Sequence, residues 1–146
     1  MKYLHLFENQ NESYPYEWEN IVQKGNKLYI YVYELANEME SDVAGKGKEE
    51  LVKMEHTYYK LIRNLLIGKV ITFDCEECSI EHTGICDTVG FSSGRYEEGS
   101  DDTFQVQFVH ISTEDIDDQH NIEDEEIIVH LDIDPETYRT ANKYNL

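Results

Sequence analysis

The hydrophobic pattern of this chain changes period at Gly68, and that change limits the fold more than any other feature. From Glu49 to Ile67, Leu51, Met54, Tyr58, Leu61 and Leu65 recur every three or four residues. That is the spacing of one helix face, and Gly68 stands where a C-terminal cap belongs. Beyond Gly68 the period becomes two. Thr103-Phe104-Gln105-Val106-Gln107-Phe108-Val109 alternates cleanly, and the segments 69–73, 85–91, 103–111 and 126–133 all read as strands. Polar, acidic stretches at 92–102 and 112–124 read as loops. Asp134 and Pro135 open a last short helix, with the acid as cap and the proline in the first turn.

The first third is less uniform. Residues 2–7 suit a short strand. Ser13 can cap a helix with Pro15 in its first turn, which puts Trp18, Ile21 and Val22 on one face. Residues 26–43 support two patterns. Leu28, Ile30 and Val32 alternate with Tyr29, Tyr31 and Tyr33, as in a strand, while Leu28, Tyr31, Val32, Leu35, Ala36 and Met39 fit a helix face. The helix-forming run from Glu34 to Glu40 favours helix for the whole segment. The expected fold is therefore α+β: an N-terminal helical hairpin packed on a small antiparallel β-sheet or SH3-like barrel, with a short C-terminal helix. One domain over 1–146 is expected, mainly helical over 1–68, antiparallel β over 69–133, and helical again over 134–146.

Charge narrows the function. The 146 residues carry 31 acidic and 12 basic side chains, a formal net charge of −19. From Glu97 to Glu136 there are 15 Asp and Glu and no Lys or Arg. A field of that sign repels nucleic-acid phosphates and anionic lipid, and attracts basic proteins. The residues that flank one acidic loop, Asp115, Asp117, Asp118, Glu123, Asp124, Glu125 and Glu126, are the candidate partner-binding set. In composition the chain resembles the acidic DNA mimics that phages direct at host nucleases. That resemblance implies a basic, nucleic-acid-handling host protein as partner, with no direct binding of nucleic acid. Abundant Tyr, Asn and Ile with only 2 Pro also suit an AT-rich bacterial or phage genome. Neither a secretory h-region nor an apolar run of membrane-spanning length is present, so a cytoplasmic protein with no membrane contact is expected.

All 3 cysteines fall within one short run, Cys75-Glu-Glu-Cys78-Ser-Ile-Glu-His82-Thr-Gly-Ile-Cys86. A C-x2-C pair followed by His and Cys offers the four soft or borderline ligands that zinc takes in a tetrahedron. The run resembles a retroviral-type zinc knuckle, C-x2-C-x4-H-x4-C, with each later gap one residue shorter. The resemblance implies a small zinc-dependent interaction module held by Cys75, Cys78, His82 and Cys86. The competing expectation is no cofactor at all, with a hairpin whose cysteines pack as small hydrophobes. Redox chemistry at Cys75 and Cys78 is disfavoured, because Glu76 and Glu77 between them would raise the thiol pKa.

Other motifs are incomplete. Gly90-Phe91-Ser92-Ser93-Gly94 matches G-x-S-x-G, but no helix pattern follows, so a turn is expected there. The acids at 115–118 lack the central Gly and terminal Glu of an EF-hand, and Gly45 to Lys48 lacks phosphate-loop spacing. His110, His120 and His130 could meet across strands. With no readable nucleophile–base pair, a binding protein is expected and an enzyme is not.

Overall fold

The structure, a computed structural model, describes residues 19–43, 47–75, 80–98, 101–114, 120–121 and 126–144. Among the described residues, seven strands and three helices run in the order β1 (Ile21–Lys24), β2 (Lys27–Tyr31), α1 (Val32–Val43), α2 (Lys48–Leu66), β3 (Val70–Asp74), β4 (Glu81–Glu98), β5 (Asp101–Thr113), β6 (His120–Asn121), β7 (Glu126–His130) and α3 (Pro135–Lys143). The fold is α+β, with every strand pair antiparallel. Spatial order is β1-β2-β7-β3-β4-β5-β6, so the meander is interrupted once, where β7 inserts between β2 and β3.

The consecutive helices α1 and α2 follow the two strands β1 and β2 instead of preceding the β part. Helix was expected at Ile21 and Val22 and over the whole of 26–43; the structure corrects both. Gly25, at a φ of 61°, makes a tight turn that pairs Lys24 with Lys27 and folds 21–31 into a β-hairpin. The two patterns seen in 26–43 follow one another. Leu28 and Ile30 point inward from β2; Val32, Leu35, Ala36 and Met39 then take up the helical period, and all six are buried. The β part also begins earlier and runs longer than expected. β4 and β5 continue through the 92–102 segment read as a loop, pairing as far as Glu98 with Asp101. Strong alternation in β5 gives β4 a complete partner, which overrides the weak strand preference of its Ser, Gly and Glu. Opposite the Ser92–Ser93 step the register skips Gln107, so the irregularity is an extra residue of β5, and Gly90 to Gly94 is paired strand and not a turn.

One face of the sheet meets the helices. Leu51, Met54, Tyr58, Leu61 and Leu65 of α2 are all buried, as their spacing predicts, together with Ile71 and Phe73 of β3, Val109 and Ile111 of β5, and Ile127 and Val129 of β7. Tyr58 is fully enclosed and donates its hydroxyl to the Val32 carbonyl at 2.9 Å, tying α2 to the first turn of α1. Tyr59 stacks on Phe91 with centroids 4.3 Å apart, and the Arg63 guanidinium lies over both rings. Gly68, at a φ of 80°, reverses the chain after α2 and donates its N–H to the Cys86 carbonyl.

Candidate functional site

The opposite face of the central sheet follows from strand alternation. Lys27, Tyr29 and Tyr31 of β2, Glu126, Ile128 and His130 of β7, Thr72 and Asp74 of β3, and Glu81 and Thr83 of β4 all fall on it. Asp74 pairs with Glu81, and both line a cavity of about 220 Å³ together with Glu126, Thr72, Phe73 and Ile128. Three carboxylates from three adjacent strands thus ring one depression. Such an arrangement repels itself, and a cation placed there would relieve it. The Tyr31 phenol is raised above its ordinary value, first by burial and then by the Glu126 carboxylate to which it hydrogen-bonds.

Beside the carboxylates runs a chain of neutral groups. Thr72 Oγ1 lies 2.8 Å from Thr83 Oγ1 and 2.7 Å from His130 Nε2. Partial burial lowers the His130 pKa and the Lys27 charge adds to this; Asp132 and Glu81 act the other way. The α3 helix closes this face at one end. Asp134 caps it, accepting from the Thr137 N–H at 2.9 Å with Pro135 following, as the sequence predicts. Tyr138 Oη donates to the Thr83 carbonyl, and Arg139 forms a two-pronged pair with Glu114 and a further bond to Glu136.

Of the acidic partner-binding set, Asp115, Asp117, Asp118, Glu123, Asp124 and Glu125 lie outside the described residues. Glu126 opens β7, is half-buried and lines the cavity. The sequence reading missed Asp74 and Thr72 as its neighbours, although polar residues at alternate positions of a buried strand were a usable signal.

Of the proposed zinc ligands, Cys78 lies outside the described residues. Cys75 donates its N–H to the Ile80 carbonyl and His82 pairs with Phe73, so Cys75 and His82 are diagonal neighbours on the helix-facing side of the β3–β4 hairpin. Cys86 donates its N–H to the Lys69 carbonyl, at the other end of that ladder. Six residues of strand separate it from Cys75, roughly 20 Å at about 3.4 Å per residue. Zinc–ligand bonds of about 2.0–2.3 Å cannot bridge that span, so the structure does not bring the four residues together. Among the described residues no group of three or more His, Cys, Asp or Glu is placed to hold a metal ion. The histidines are also apart. His120 pairs with Ile111 while His110 pairs with Asn121, and β3 and β4 stand between β7 and β5.

No helix among the described residues is long and apolar enough to cross a membrane. Comparison with protein-family models, curated proteins and solved structures finds no match for the chain.

Proposed function

We propose that the chain is a binding protein that engages a basic, nucleic-acid-handling partner through its acidic surface, in the manner of a DNA mimic and without catalysis. The observation that carries this reading is the ring of Asp74, Glu81 and Glu126 around one cavity on the sheet face away from the helices. Fixed carboxylates on a sheet can stand in for phosphates, because strands hold them at set spacings of about 4.8 Å. The β4–β5 register sets Glu97 opposite Asp102 and Glu98 opposite Asp101. Immobilised protein exposed to a bacterial lysate at low salt should retain a basic nucleic-acid-binding chain that excess duplex DNA displaces. The triple variant Asp74→Asn, Glu81→Gln, Glu126→Gln should associate with that chain more slowly and with weaker salt dependence. A captured protein that stays bound under saturating duplex DNA, and binds the variant equally well, overturns the proposal.

A second reading, a zinc-dependent interaction module, draws on the approach of Cys75 and His82 at one hairpin end. In that reading the ion belongs to that end, and Cys86 stands apart from it. Purified protein should then carry about one zinc per chain, with the metal lost in Cys75→Ser and kept in Cys86→Ser. Metal-free protein whose melting is unaffected by chelator rejects it.

A further inference from the structure

The central sheet has a seam. The β2–β7 ladder runs from Lys27 with His130 to Tyr31 with Glu126, and β3–β4 from Val70 with Ile85 to Asp74 with Glu81. Between them the β7–β3 ladder is confined to Ile71 with Val129 and Thr72 with Ile128. On the outer face this short ladder is crossed by the side-chain chain His130–Thr72–Thr83, one residue from each of β7, β3 and β4, with links of 2.7 and 2.8 Å. Thr72 is buried, and His130 is half-buried.

We propose that His130 is a proton-operated latch on this seam: neutral, it holds β7 to β3 and β4 through the two threonines; protonated, it draws toward water and the seam loosens. The hydroxyls can turn to suit either form of the ring, so protonation does not by itself break the chain. The charge is what loosens it. Lys27 faces the imidazole from the paired position of β2, Glu81 from β4 and Asp132 from the turn after β7. Asp74 lies further along the same face of β3, and Tyr138 of α3 reaches the chain only through the Thr83 carbonyl. Partial burial and Lys27 together outweigh the two acids and favour the neutral ring. An opened seam frees the ring and binds the proton more readily. The closed form is therefore fully favoured above the ordinary histidine pKa of about 6.5, and it loses that advantage as pH falls through the lowered value.

Amide hydrogen exchange, corrected for its intrinsic pH dependence, tests this on residues 70–74 and 126–130 between about pH 8 and about pH 5. Protection there should fall as pH drops, by up to about tenfold for each unit by which folding lowers the imidazole pKa. Amides of α2 should show no such step. His130→Gln, which can still meet Thr72 but cannot titrate, should flatten the profile. Lys27→Gln, a change at an exposed residue, keeps the test sound where the first variant fails to fold; it should move the step to higher pH. Wild-type and His130→Gln profiles that coincide, or a step that Lys27→Gln leaves in place, overturn the latch.

Discussion

Cys86 is 1% exposed, and burial, with Asp87 as the lesser cause, pushes its thiol pKa up to about 12. A thiol so protonated and enclosed is a poor nucleophile. Native protein treated with iodoacetamide near pH 8 should leave Cys86 unmodified, and denatured protein should label it fully; equal rates in the two states would refute this. The C-x2-C-x3-H-x3-C spacing said nothing of this difference. Cys75 and Cys86 are close in sequence, but the antiparallel β3–β4 ladder places them at opposite ends. Tyr58 is the reverse case. Its helical spacing marked it as a core residue, and only the fold shows that its hydroxyl is satisfied by the Val32 carbonyl.

Among the elements, α2 was the most legible. Nineteen residues of sustained period suffice to define a buried stripe, and Lys48–Leu66 differs from the expected 49–67 by one residue at each end. Leu61 is 1% exposed, so Leu61→Ala should cost about 2–5 kcal/mol by urea unfolding. A loss below about 0.5 kcal/mol, the range of surface changes, would contradict its place in the core. β1 and β2 were harder to read because strands of four and five residues fit either period. The Gly25-Asn26 turn was the local signal that separates them. The extended β4 had no strong signal of its own; pairing with β5 supplies what Ser92, Ser93 and Gly94 lack.

At the scale of the whole molecule, a net charge of −19 acts against compaction. Raising the salt concentration from low ionic strength should raise the melting temperature by screening that repulsion. Neutralising Asp115, Asp117, Asp118, Glu123, Asp124, Glu125 and Glu126 to Asn or Gln should leave the fold intact, raise the low-salt melting temperature and shrink its salt dependence. A variant that melts lower than the parent at low salt would show that these acids make stabilising contacts. The acidic excess was plain in composition. The grouping of Asp74 and Glu81 with Glu126 was not, since Glu126 lies 45 positions after Glu81 and only the insertion of β7 beside β3 joins them.

The sequence by itself determined what depends on neighbours a few residues away: the α2 stripe, the Asp134–Pro135 start of α3, the alternation of β5, and the sign of the surface field. Tertiary structure decided what depends on partners far along the chain. It chose strand and then helix for residues 27–43, because β2 gains β7 on one edge and β1 on the other, while Val32 onward packs under α2. It split the cysteines, set His130 against Thr72, and gathered the carboxylates around one cavity. The physical reason is common to all of these. Local propensity and period are fixed by the residues of one segment, whereas β-pairing joins segments whose register no single segment encodes.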